Sequence, residues 1–360
     1  MSTLAERPIF VIGAARSGTT LLRFMLSSHP RIYIPGQANF VPRLFQRHPT
    51  STMRRSVALR NLGIIRGYKQ FSRGWKGPWP NGPNFVDRLP SLTPQAFLDA
   101  LYSEYAGQNG AQRWGDKSQT YISYVDLLAA IFPTAQFVHI IRDGRDVALS
   151  LFRYYRKDRF YVDLYFSART WKQRLLEARA AAKKLPPSQY YELRYERLTL
   201  DPEGELKKLC SFLGEDYATA MMQPHLLAQQ AVQSQSTHAP VRQPVTTARA
   251  HCWRQEISAA DQRVVQTVAG DLLQELGYEI LPLGTMSPME RWRHRRWQAK
   301  YTLLEGARRA AQAVGVYLPS LSFPFRIGKA VQRAQKKLQL LLLVQWMSDS
   351  WGPFEWISIG

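Results

Sequence analysis

Arg16, Ser17, Thr19 and Thr20 lie in the run IFVIGAARSGTT, residues 9–20, and their types suit one task, the holding of an oxyanion. Four apolar residues without alternation read as a buried strand, Gly13 to Gly18 as a tight turn, and the pattern from Thr19 onward as a helix. Backbone N–H groups of the turn and of the first helical turn have no intrahelical partner. They converge, with the positive end of the helix dipole, on whatever sits in the turn. Gly13 and Gly18 let the backbone approach an anion closely, and the three hydroxyls add donors. The spacing from Gly13 to Gly18 matches the triphosphate loop GxxxxGK(S/T), yet Thr19 stands where the lysine belongs. Arg16 lies inside the loop instead, where a guanidinium fork can grip a single phosphate or sulfate.

A second junction repeats this logic. The apolar run AQFVHII, residues 135–141, delivers Arg142-Asp143-Gly144-Arg145-Asp146 into a helix over residues 147–155. Asp143 and Asp146 read as partners of Arg145 or as caps of that helix, and His139 as a core histidine. The elements that must bring the junctions together follow from period and punctuation. Helices are expected over residues 21–28, 93–105, 125–132, 170–184, 202–213 and 259–276, with extended pieces at 31–34, ending at Trp114–Lys117, and at 189–195. Strands separated by helices imply a parallel sheet of about four or five strands with helices on both faces and a site at the carboxyl ends of the strands. Residues 41–95, rich in Pro, Gly and Trp, read as an insert of loops and short helices that faces a substrate, and residues 230–252 as a loop.

The 360 residues suffice for one large α/β domain, residues 1–284, with an appendage over 285–360. The net charge is +21 and is unevenly spread: Arg43 to Lys76 holds nine Lys or Arg and no acid, and Thr285 to Gly360 holds twelve against four. Such surfaces attract anions. In the tail, Trp297, Tyr301 and Leu304 fall on a helical period among basic residues. That pattern fits an interfacial membrane helix, and equally a segment packed on the domain or on a second subunit. Its leucine run is too short to span a bilayer. Two cysteines, Cys210 and Cys252, argue for a reducing compartment and give no metal-ligand spacing. MSTLAERPIF has no signal-peptide pattern, so a cytoplasmic location is expected, at most peripheral on the inner membrane face.

IFVIGAARSGTTLLRFMLSSHP resembles the phosphosulfate-binding loop of sulfotransferases that use 3′-phosphoadenosine-5′-phosphosulfate (PAPS), and FVHIIRDGRDVALSLF resembles their 3′-phosphate motif. WGDKS, ELRYERLTLDP, LKKLCSFLG and HCWRQEIS extend the likeness, which runs from about Arg7 to Tyr278 and is nearest to bacterial, tyrosylprotein and glycan enzymes. The resemblance implies a sulfotransferase fold, PAPS as donor, no metal, no nucleic-acid partner and, as in related enzymes, a homodimer. It implies that Arg16, Ser17, Gly18, Thr19 and Thr20 hold the phosphosulfate and that Arg142 and Ser150 bind the 3′-phosphate. Tyr195 and the loop from Thr237 to Arg254, including Arg242 and Arg249, would close over the nucleotide. Lys117 matches the lysine of the family's DK(T/S) segment and, with Arg16, would stabilise charge on the leaving phosphate.

The chain departs from the family where a general base is needed. Gln37 stands in the glutamate position of tyrosylprotein enzymes and Gln119 in the histidine position of cytosolic ones, and an amide takes no proton at neutral pH. Asp116 or a histidine such as His48 is the expected substitute, unless the acceptor arrives ionised or the protein is catalytically weak. Cys252 replaces a lysine, for which Arg249 or Arg254 would compensate. The acceptor expected is a hydroxyl or amine on an anionic or membrane-held molecule (glycan, glycolipid, lipid or peptidyl tyrosine), with Arg54 and Arg55 as contacts. Two other functions suit the same composition: a small-molecule kinase with a degenerate phosphate loop, and a basic binder of nucleic acid or membrane surfaces.

Overall fold

A computed structural model of the chain describes residues 7–155, 163–232 and 238–313. The chain divides into compact units Met1–Gln298 and Ala299–Gly360. The first is built on five parallel strands: β1 Ile9–Ile12, β2 Ile32–Tyr33, β3 Arg113–Lys117, β4 Gln136–Ile141 and β5 Tyr190–Arg194, in the order β2-β3-β1-β4-β5. Because every strand runs the same way, all five carboxyl ends open on one edge. The first strand is central, so the turn that follows it lies between the ends of β3 and β4.

Alternation along the strands divides the core by chemistry. Ile9 and Val11 face an aliphatic layer with Leu22, Met25, Leu26, Val138, Ile140, Leu193, Leu206 and Leu213, which the helices Thr19–Ser27 and Pro202–Leu213 supply in part. Phe10 joins an aromatic layer, its ring 5.9 Å from Trp114 and 5.6 Å from Phe137, with Tyr102 of helix Pro94–Gln108 stacked 4.6 Å from Trp114. That helix begins at the expected Thr-Pro, with Thr93 Oγ1 accepting from Ala96 N at 3.3 Å.

The insert folds as the helices Phe40–Phe45, Arg55–Arg66, Lys69–Ser72 and Gly82–Asp87. The expected loop over 230–252 begins at the end of helix Pro224–Ala231, which packs on helix Thr19–Ser27, and its described residues hold one 3₁₀ turn, Ala239–Arg242, packed on that helix. Buried Ala228 and proline at the first turn explain why residues 224–231 are helical. Helix Pro288–Ala313 follows the domain. Met289, Trp292 and Leu303 are exposed on it and share one face at the helical period. The leucine run and basic residues beyond 313 lie outside the described residues. Among the described residues, no helix is long and apolar enough to cross a membrane.

Candidate functional site

The turn after β1 keeps its polar atoms open. Ser17 N donates to Ala14 O at 3.1 Å, which closes the turn, and Arg16 and Gly18 adopt left-handed φ values of 72° and 99°. No side chain caps helix Thr19–Ser27, so its first N–H groups stay available. Ser17 Oγ is buried with no hydrogen-bond partner among the described residues. A Cβ on Gly18 would come within 2.5 Å of the Tyr195 ring, and one on Gly13 within 2.7 Å of Ile140 O, so both positions need glycine for closeness, and Gly18 needs it for φ as well. Thr19 is buried and Thr20 half-buried in the first turn of the helix.

The second junction is tied to the first. Arg16 Nε donates to Ser150 Oγ at 3.0 Å, one Arg142 Nη donates to Arg16 O at 3.1 Å, and the Arg142 guanidinium lies 4.7 Å above the Tyr195 ring. Arg142 also donates to Arg249 O and pairs with Asp146 at 3.3 Å, while its Nε is buried and without a partner among the described residues. Asp146 accepts from the backbone N–H groups of His251 and Trp253 at 2.8 and 2.9 Å, so the chain at 249–253 is held against the junction. Asp143 and Arg145 pair as expected, at 2.7 Å, and the Arg145 guanidinium stacks 3.4 Å from the Trp253 ring.

Lys117 ends β3 on the face that meets helix Thr19–Ser27. Its ammonium donates to Gln37 Oε1 at 2.9 Å and reaches Thr20 Oγ1 at 3.4 Å. Burial, with the neighbouring Arg23 charge, lowers its pKa to about 7, against a smaller opposing pull from Asp116. The adjacent residue of a strand points to the opposite face, and there Asp116 is fully buried. Its oxygens accept from Tyr102 OH at 2.6 Å, Tyr121 OH at 2.5 Å and Lys117 N at 2.7 Å. Burial raises its pKa to about 6 against those hydrogen bonds. With its acceptor sites taken by the core, Asp116 anchors the end of β3 and does not serve as the displaced base.

Several other expectations change. Arg55 is held by a bidentate pair with Asp87 at 2.8 and 2.9 Å, so of the insert's arginine pair it is Arg54, exposed, that stays available to an anion. Arg254 pairs with Glu279 at the surface instead of turning to the nucleotide side. Arg249 meets the site through its backbone oxygen, and its charge acts on Tyr195. Arg242 keeps Nε buried and unbonded among the described residues. His48 is exposed beyond the helix that ends at Phe45. Thr237 lies outside the described residues. His139 is a core residue, its Nδ1 2.5 Å from Tyr190 OH.

Two basic residues enter the site that the spacing did not single out. Arg23 follows Thr20 by one helical turn, and its Nε donates to Ile34 O at 2.9 Å. His238 precedes the 3₁₀ turn, and burial together with the charges of Lys117, Arg16 and Arg23 lowers its pKa to about 4. An arginine in an amphipathic helix and a lone histidine in a polar loop carry no spacing signal that could have marked them.

A glycine turn with unbonded donors, facing a second cationic junction across parallel strand ends, defines an α/β protein with two oxyanion-suited junctions side by side. Residues 8–219 match the model of the sulfotransferase family, and the chain belongs to that family. It is 26% identical over 283 residues to protein-tyrosine sulfotransferase 1 of Danio rerio, covering 75% of this chain and 72% of that one. It is 26% identical over 259 residues to the omega-hydroxy-beta-dihydromenaquinone-9 sulfotransferase of Mycobacterium bovis, covering 59% and 64%. An uncharacterized protein of Aquifex aeolicus is 33% identical over 218 residues, which is 58% of this chain but only 25% of that protein. The sulfotransferase domain of the Synechococcus olefin synthase superposes with a TM-score of 0.53 at 24% identity, over 76% of this chain and 96% of that domain, and supports the fold.

Proposed function

We propose that the protein transfers a sulfuryl group from PAPS to an acceptor hydroxyl. One observation carries the reading: the two oxyanion cradles are joined by a single hydrogen-bonded chain, Ser150 to Arg16 to Arg142. The residues suit this donor. Ser17 Oγ and Arg142 Nε are buried polar atoms without partners among the described residues, one in each cradle, and the turn itself carries no lysine to bridge a triphosphate. When bound, the donor supplies the sulfuryl group and a phosphate that leaves with the displaced bond's electrons. Arg16, Ser17 and the N–H groups of residues 18–20 would hold its phosphosulfate, and Arg142 its 3′-phosphate, with Tyr195 beneath the guanidinium. Lys117, kept close by Gln37 and Thr20, stands ready to offset charge that grows on the leaving oxygen.

His238 is the proton acceptor in this reading. It is an imidazole kept neutral beside Arg16, Arg23 and Lys117, and a bound polyanion offsets those charges and raises its basicity toward the usual range. Gln37 then serves as an anchor for Lys117. A thermal-shift titration with PAP, the desulfated product, tests the whole: stabilisation by PAP at micromolar concentration, and none by ATP with magnesium, is the expected outcome. The reverse preference favours the small-molecule kinase. For His238, the H238Q variant is expected to keep PAP affinity and lose at least about tenfold in turnover, with the acidic limb of the pH profile gone. Unchanged turnover removes His238 from the role.

A further inference from the structure

We propose that Arg23 is the recognition site for an acidic group on the acceptor, so that the substrate is an anionic hydroxyl compound. The inference rests on the PAPS reading and names the class of its second substrate.

Geometry puts Arg23 on the acceptor side of the site. Thr20 and Arg23 are three residues apart in helix Thr19–Ser27 and so share a face; Thr20 touches Lys117, and Arg23 lies one turn farther from the phosphate turn. Its Nε is fixed to Ile34 O at 2.9 Å, at the start of the Pro35-Gly36-Gln37 segment whose glutamine holds Lys117 at 2.9 Å. The guanidinium also rests 4.5 Å over the Phe24 ring, so the side chain is set in one place while the residue stays half-buried. Tyr33 and Tyr105 act on it electrostatically, and their rings lie 5.4 Å apart. The insert closes on both tyrosines: a Cβ on Gly74 would come within 2.5 Å of Tyr105 OH and 2.9 Å of Tyr33 OH.

Charge balance then asks for an anion. Among the described residues no carboxylate pairs with Arg23, and Asp116, an acid that acts on it electrostatically, is committed to two tyrosines across the sheet. With PAPS bound, the 5′-phosphate and sulfate would match Arg16 and Lys117 and the 3′-phosphate Arg142, and the donor would weaken the field at Arg23 without supplying it a direct oxyanion partner. Burial lowers its pKa, so the charge is poorly solvated where it lies. An acceptor carboxylate, sulfate or phosphate close to the reacting hydroxyl would accept the two Nη groups of a guanidinium whose Nε is already fixed, at little further ordering cost.

The test uses the PAP-saturated full chain and a matched pair of phenols, 3-(4-hydroxyphenyl)propanoate and its methyl ester, with binding read by calorimetry. The acid is expected to bind about tenfold more tightly than the ester, as one charge-assisted contact provides. R23Q should abolish that preference and R23K keep part of it, while PAP affinity stays within about threefold in both. Equal binding of acid and ester by the parent protein overturns the proposal without recourse to any variant, and so does a preference that survives R23Q. Failure of the parent protein to bind PAP is a different result: it overturns the PAPS reading instead.

Discussion

After β1 the chain turns through Gly13–Gly18 and leaves donors open, whereas after β4 it turns through Arg142–Asp146 and bonds nearly every polar group to another part of the fold. The first cradle is made by backbone. Its shape needs glycine, a left-handed arginine and an uncapped helix, and it depends little on distant residues. The second is made by side chains, with Asp146 reaching the backbone of 251 and 253 and Arg142 reaching residue 249. A backbone cradle is present as soon as the strand and helix form. A side-chain cradle is complete only when the closing segment docks, so the second junction couples nucleotide binding to the order of residues 249–253.

That contrast can be broken most sharply at Arg142. R142A is expected to weaken PAP about a hundredfold by calorimetry, since it removes a charge-assisted donor set, and to raise amide hydrogen exchange at 248–253. Equal exchange in parent and variant would separate the closing segment from the junction. D146N should show the same exchange change with a smaller loss of affinity.

The backbone cradle should respond differently. G18A forces a Cβ into the Tyr195 ring at a φ of 99° and is expected to cost about 1–3 kcal/mol in urea unfolding, with no added exchange at 248–253. Trimming the ring in a G18A/Y195L double variant should recover part of that stability, which would assign the rest to φ strain.

A smaller effect comes from the lysine between the cradles. With a folded pKa of about 7 against an ordinary 10.5, Lys117 contributes stability that is full above 10.5 and is lost as pH falls to about 7. A bound polyanion raises its pKa again, so PAP binding at pH 8 is expected to take up a fraction of a proton. Calorimetry in two buffers of different ionisation enthalpy measures it. K117M should lose most of that uptake, and uptake unchanged in K117M would place the proton elsewhere, His238 included.

What the amino-acid sequence determined by itself were the features that nearest neighbours impose. The apolar runs 9–12 and 135–141, the glycine turn, the basic junction at 142–146 and the lysine at 117 are all local patterns, and the parallel sheet follows from strands alternating with helices. Only the tertiary structure decided which charges face one another. Strand alternation sent Asp116 into the aromatic layer while Lys117 turned to Gln37, and Asp87 claimed Arg55 from another part of the insert. It also brought Arg23 and His238 into one electrostatic field from positions more than two hundred residues apart in the chain, separated by four of the five strands. The physical reason is range: propensity and period act over a few residues, whereas desolvation and Coulomb forces act between whatever the packed strands and helices happen to bring together.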